Sequence, residues 1–369
     1  MTHFRILEFW RLSAALLVMA YHFMRYAPPE TFYISDGLYH LLPLMEMFFM
    51  ISGFLIMLRY ADTLTTERGA YKRFILRRFA RLYPLYFATL VFFVAVAVAV
   101  KLGYVTAQSP ARYDLAVLPQ NILLIQGWGT TDLLTFNYVA WTLSAEWFCY
   151  LALPAIVLAW RFGGKAGLVA MAVISIIALE LAVAAQIIPF PSWLRADTWG
   201  AYRAFADFVL GALVAVVVRD SNWQLRSHAP AWIVFGLAIA AMATLQNNYL
   251  ILFLLMASIF LAALAERNNP DGSRLLTPLH PIGTVSFGIY LIHPVLETTV
   301  LAIVWRRLIE PMEIMSFFVF WTIPMVMTIA VALLSYRYFE TPVSKYLNGL
   351  LMAKDKAPQS RAAVATQQP

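Results

Sequence analysis

Ten runs of about 20 mostly apolar residues recur along the chain, near 6–26, 39–59, 79–100, 139–160, 167–188, 203–218, 230–245, 249–265, 283–305 and 314–336. This recurrence limits the possible folds more than any single motif. About 20 such residues are what a helix needs to cross a bilayer, where every backbone polar group must be paired internally. The remainder of the composition agrees: 62% of the 369 residues are hydrophobic and 13% charged. An ordinary soluble domain is roughly 45–50% apolar and roughly 25% charged. The chain cannot cover a water-facing surface, which excludes a common cytosolic enzyme, a disordered chain and a disulfide scaffold. The single cysteine, Cys149, permits neither an internal disulfide nor a cysteine-based metal site.

The expected fold is therefore all-α: a polytopic membrane protein with about ten transmembrane helices around a membrane-embedded cavity. Residues 1–350 are expected to form one membrane domain. Residues 351–369, polar and rich in small side chains, read as a disordered cytoplasmic tail. The first run is not a secretory signal, because it lacks a small-residue cleavage site and carries Glu8, Arg11 and His22. Segment 101–138, with Pro110, Pro119, Gly127 and Gly129, reads as an external loop able to dip back into the bilayer. Neither an internal repeat nor a soluble domain is visible.

Ten spans place both termini on one side. Of the 27 Lys and Arg, 19 then fall on the terminal side, seven on the opposite side, and Arg11 within the first span. Basic residues accumulate in cytoplasmic loops, so cytoplasmic termini are expected, in a bacterial inner membrane.

A charge at the centre of a span costs roughly 3 kcal/mol or more and marks a pathway or a site. The first helix has several. At 100° per residue, Arg11 and His22 share one face about 16 Å apart along the axis, with Glu8 and Arg25 near the same line and Ala14, Ala15 and Val18 between. A cation toward the cytoplasm, a small-residue groove and a deep imidazole suit an elongated ligand with an anionic head and a reactive tail. The plain alternative is a snorkelling Arg11 and a His22 bonded to a neighbouring helix.

Arg73, Arg77 and Arg81 follow one another at i, i+4 and i+8, with Arg78 beside them. Guanidinium is permanently charged and donates in pairs, so this row is a candidate phosphate receptor; it would equally anchor the topology on anionic lipid heads. Residues 141–150 place Glu146 at the start of a span close to the external side, on one face with Thr142 and Tyr150, while Trp141, Ser144 and Asn137 share another. Glu146 either orients a histidine or caps a helix in water. Glu46 lies in the second span ahead of Ser52 and Gly53, which read first as packing residues. His293 and Glu340 are single polar residues within apolar surroundings.

Taken together these segments resemble the integral-membrane acyltransferase family 3, which includes bacterial carbohydrate O-acetyltransferases and nodulation-factor acetyltransferases. Leu7-Glu8-Phe9-Trp10-Arg11 followed after ten residues by His22 is similar to the family's Arg-x10-His signature. Residues 48–56, 73–84 and 141–147 resemble its FFxxSGFLI, basic Tyr-Pro and WTLSxEW elements; 283–293 and 336–342 resemble its GxxSYxxYLxH and YRxxExP endings. The matches run in order from residue 7 to 342. Glu8 stands where Asp is usual and keeps the charge. Phe287 stands where Tyr is usual and loses a hydroxyl, so no catalytic role is carried onto it. The soluble esterase-like domain of some members is not found, so a second transfer step is expected to need another protein.

The resemblance implies an acyl-CoA donor, usually acetyl-CoA, and a carbohydrate hydroxyl as acceptor. It implies His22 as the catalytic residue, with Arg11 and the Arg73, Arg77, Arg78, Arg81 cluster on the donor. Glu146 is expected to orient His22 or stabilise its cation, and Trp141, Ser144, Glu46, Ser52 and His293 to line the substrate site. The expected partners are acyl-CoA, a carbohydrate or lipid-linked glycan and membrane lipid, with no metal and no nucleic acid. Two other functions share these features: a transporter or flippase for a polar lipid-linked glycan, and an O-succinyltransferase on the same scaffold. A structural scaffold leaves the alignment of Arg11 with His22 unexplained.

Overall fold

The computed structural model describes residues 3–107 and 109–353, and among these it is helical with no strand. The helices are α1 Arg5–Met24, α2 Phe32–His40, α3 Leu44–Thr66, α4 Ala70–Lys101, α5 Leu118–Ile122, α6 Trp141–Ala184, α7 Gly200–Asp220, α8 Ala229–Ala243, α9 Asn248–Asn268, α10 His280–Thr284, α11 Ser286–Leu296, α12 Phe317–Ser335 and α13 Thr341–Ala353. A π-helix, Glu297–Ile309, prolongs α11, and another, Tyr336–Glu340, joins α12 to α13.

Eight helical stretches are long and apolar enough to cross a membrane. The ten apolar runs map onto them because α6 is bent. Gly164 adopts φ 57°, ψ −141° in its middle, a conformation open to a residue without Cβ, so that two of the runs occupy the halves of one bent helix. The last of the ten to be placed, α8, has 15 residues, about 22 Å of rise, and is too short to span alone.

The core is built on α3, α6 and α7. Gly53 of α3 lies against the Phe208 carbonyl of α7, and Gly211 of α7 against the Met50 carbonyl of α3. Lipid offers no hydrophobic drive between helices, so close backbone approach through small residues is what holds such a pair. Helix α1 packs beside α11, with Leu12, Ala14, Ala15, Val18 and Met19 buried.

The connection between α4 and α6 is the one that shapes the centre. It returns toward the bundle, and its last residues are pinned there. Asn137 Nδ2 donates to Thr89 Oγ1 of α4 at 3.0 Å and to the Leu291 carbonyl of α11 at 3.1 Å, and Tyr290 Oη donates to the Val139 carbonyl at 3.2 Å. Leu124 and Phe136 carry positive φ (57° and 51°), a costly backbone state that persists where surrounding contacts fix it. The connection thus folds back against the bundle, and α6 begins among buried residues, Trp141 to Glu146. At the other end, α13 continues through residues 351–353, which corrects the start of the expected tail; its remainder lies outside the described residues.

Candidate functional site

Arg11 extends from the second turn of α1 over the Phe48 ring of α3, its guanidinium carbon 4.4 Å from the ring centre. Its buried Nε has no hydrogen-bond partner. Glu146 attracts the guanidinium, and Arg78 and Arg81 of α4 are near enough to repel it. Glu146 Oε1 accepts from Ser52 Oγ at 3.0 Å and from Tyr150 Oη at 2.5 Å. Arg78 packs 5.3–5.7 Å from the rings of Phe74, Tyr150 and Tyr60. Arg11 and Arg78 thus flank Glu146 and its Tyr150 partner, and the charge of the exposed Arg81 lies nearby, a net positive region with donors to spare for an anionic group.

Only part of the basic row joins it. Arg73 Nη2 is held by Glu67 at 2.6 Å, and Nη1 donates to the Arg68 carbonyl; Arg77 is exposed. A spacing of four residues drifts about 40° per step around a helix, so a row of three crosses from one face to the next. Arg78 packs into the pocket, Arg81 is exposed but close enough for its charge to act on Arg11, and Arg73 and Arg77 stay outside.

At the far end of the Arg11 face, His22 stacks on His293 with ring centres 5.4 Å apart and 22° between planes, and meets the Tyr138 ring edge-on at 4.8 Å. His293 is 0% exposed and neither ring nitrogen has a partner. Beside Glu146 lies a narrow cleft of about 10 Å³, room for about one water, lined by Met45, Phe48, Thr142, Glu146, Phe287 and Tyr290 among others. Its walls come from α3, α6 and α11. Ala14, Ala15 and Val18, expected to form the groove, are buried in helix packing instead.

Several expectations are corrected. Glu146 does not orient His22: its hydrogen bonds go to Ser52 and Tyr150, and its charge acts on Arg11. Ser144 is not free for substrate. Its Oγ donates to the Leu124 carbonyl at 2.8 Å and accepts from the Gly127 N–H at 3.0 Å, which ties down the returning connection. Trp141 lies under the Arg203 guanidinium at 4.4 Å. Glu46, 2% exposed, faces Arg203 Nη2 at 3.8 Å rather than the cleft. Ser52 serves Glu146. Of the five residues expected to line the substrate site, His293 alone adjoins His22.

The sequence gives no hint of three other features. Tyr138 Oη donates to Glu297 Oε2 at 2.5 Å, across 159 residues. Arg203 is buried inside α7, where it gathers Glu46, Asp197 at 3.4 Å and Asp207 and donates to the Leu194 carbonyl. Burial raises the Asp197 carboxyl, beyond the end of the bent helix, above the usual range, against the pull of Arg203. At the N-terminal end of α1, Glu8 meets His3 Nε2 at 3.0 Å and His280 Nδ1 at 2.9 Å and accepts from Thr284. These donor atoms lie within 4.8 Å of one another, a set compatible with a divalent metal, although the histidine and threonine contacts also satisfy the carboxylate without one.

The chain is 27% identical over 316 residues to the acyltransferase MdmB of Streptomyces mycarofaciens, covering 77% of this chain and 76% of that one. It is 26% identical over 374 residues to nodulation protein 10 of Rhizobium leguminosarum bv. viciae, covering 92% and 93%. No solved structure matches. The family described as an acyltransferase domain, acyltransferase 3, matches residues 4–337, which include every residue of the Arg11 pocket and of the His22 end. With its apolar helices the protein is a multi-pass membrane acyltransferase, and the chain belongs to the acyltransferase 3 family.

Proposed function

We propose that the protein moves an acyl group, acetyl in the first instance, from acyl-CoA to a hydroxyl of a cell-surface or exported carbohydrate, in a bacterial inner membrane with both termini cytoplasmic. The observation that carries this reading is that one helix, α1, bears both the cationic pocket at Arg11 and the imidazole pair at His22. Arg11, Arg78 and Arg81 hold the phosphates of the donor; the partnerless Arg11 Nε and the excess of guanidinium over carboxylate fit that role. Glu146, fixed by Ser52 and Tyr150, sets the position of Arg11 rather than that of His22.

At His22 the neutral imidazole takes the proton of the acceptor hydroxyl as its oxygen attacks the thioester carbonyl. The C–S bond breaks and the CoA thiolate leaves. Proton transfer by a positioned base contributes about 10²–10⁴-fold. His293, stacked on His22, fixes the ring plane. A two-step variant, with the acyl group carried on His22 between half-reactions, uses the same residues.

The test is transfer of label from acetyl-CoA to glycan in membranes carrying the protein. Label should pass in the wild type and fail in Arg11→Ala and His22→Ala at equal protein level. Full transfer by either variant overturns the assignment, and movement of unmodified glycan would show a transporter instead. Labelled enzyme trapped without acceptor separates the covalent from the direct route, and parallel succinyl-CoA tests the donor.

A further inference from the structure

Beyond His22, on the side away from the Arg11 pocket, three arginines from three separate segments surround one carboxylate. Arg25 ends α1. Arg112 sits in the short 3-10 turn Pro110–Tyr113, where its carbonyl accepts from the Phe136 N–H at 2.8 Å. Arg306 comes from the π-helix after α11. The Arg112 guanidinium lies 4.3 Å from the centre of the Tyr138 ring, and that of Arg306 lies 4.6 Å from the centre of the Tyr26 ring. Glu297 takes the Tyr138 hydroxyl at 2.5 Å, has Tyr26 within hydrogen-bond reach, and feels both Arg112 and Arg25. Tyr138 in turn stands edge-on to His22.

Among the described residues, none of these three guanidiniums has a side-chain hydrogen bond or an ion pair within 4 Å. Arg112 and Arg306 are nevertheless half-buried. Each carries five donors in a fixed fork, open at the surface and without an acceptor among the described side chains. Glu297 is already occupied by tyrosine and balances one charge of three. A cationic ligand is repelled here, and a neutral sugar leaves the excess charge unanswered. An anion supplies both the acceptors and the charge.

We infer that this cluster binds the acceptor through an anionic group, a sugar carboxylate or phosphate ester held by Arg112 and Arg306 beside the Tyr26 and Tyr138 rings, so that a neighbouring hydroxyl faces His22. The inference rests on His22 as the reacting end of the site.

The test is ligand-observed NMR titration of the purified full-length protein with no acyl donor present. The probes are methyl glucoside, methyl glucuronide and methyl glucoside 6-phosphate. One or both anionic probes should bind about tenfold or more tightly than the neutral one, which is the scale of a charge-assisted contact. Their order separates a carboxylate from a phosphate ester. Added salt should narrow the difference. In Arg112→Gln/Arg306→Gln the preference should fall to within about twofold with neutral binding retained, and an unchanged melting profile verifies the fold. Equal binding of charged and neutral probes by the wild type, a preference that survives the double substitution, or no binding of any probe would each overturn the inference. Because no donor is present, such a result leaves the acyl-transfer reading untouched, just as a failure of acyl transfer would not alter these affinities.

Discussion

Replacing Gly53 by Ala should loosen the α3–α7 pair and, with it, the site. A Cβ at residue 53 would stand 2.0 Å from the Phe208 carbonyl oxygen and 2.8–2.9 Å from its C and Cα, all of them backbone. Close carbon–oxygen contacts lie at about 3.3 Å, so the helices must part locally by about 1.3 Å. Glu46 and Arg203 are on these same two helices at 3.8 Å. The retreat would take them to about 5 Å, beyond ion pairing, inside a water-poor core. Overpacking of this kind costs about 1–3 kcal/mol. At roughly 2–4 °C per kcal/mol, a scale drawn from soluble domains, the midpoint should fall by several degrees. The assay uses the only cysteine, Cys149, which is fully buried and so reacts with a fluorogenic thiol dye when the fold opens. Gly211→Ala, whose Cβ would stand 1.8 Å from the Met50 carbonyl oxygen, should behave alike. Gly236→Ala, with nothing within 4 Å, is the control and should hold or rise slightly. A Gly53→Ala protein that melts with the wild type would refute the close-approach account of this interface.

Three other outcomes follow from described contacts. Tyr150→Phe removes one of the two hydrogen bonds to Glu146 and should lower acyl transfer about tenfold or more through a misplaced Arg11, read as a rise in KM for the donor, while the melt moves little. Arg203→Met leaves Glu46 and Asp207 buried without their cation and should cost about 3–5 kcal/mol in the same melt; adding Glu46→Gln and Asp207→Asn should recover much of it. Ser144→Ala frees the Leu124 carbonyl and the Gly127 N–H and should cost about 1–3 kcal/mol locally, seen as faster proteolysis of the connection between α4 and α6.

The spans were legible because lipid imposes one pattern: a helix must be apolar for its whole length, so ten runs stand out without reference to one another. The alignment of Arg11 with His22 was legible for a similar reason, since both lie on one helix and its phase is fixed. The burial of Glu146 was not. It depends on how far the preceding connection returns, which is set by Asn137 reaching Thr89 and Leu291, 48 and 154 residues away. Ser144 and Trp141 read as site residues by their motif, yet one is spent on a loop and the other lies under Arg203. The row of arginines shows the limit of spacing: i, i+4, i+8 identifies neighbours on a surface but not which of them faces the bundle. Tyr138 and Glu297 were invisible because each looks ordinary until the other is placed beside it.

The returning connection also bears on the order in which the molecule can be made. Its polar anchors on the far side, the Leu291 carbonyl, Tyr290 and Glu297, belong to the last quarter of the chain. While the ribosome is still producing α7 to α9, Asn137 has only Thr89 of α4 and Tyr138 still lacks Glu297. The His22 end is therefore closed late, when α11 packs against α1 and the waiting peptide settles beside them. Chains halted before Ser286 should insert their helices yet leave residues 102–140 open to protease, and supplying the missing C-terminal piece in trans should restore protection.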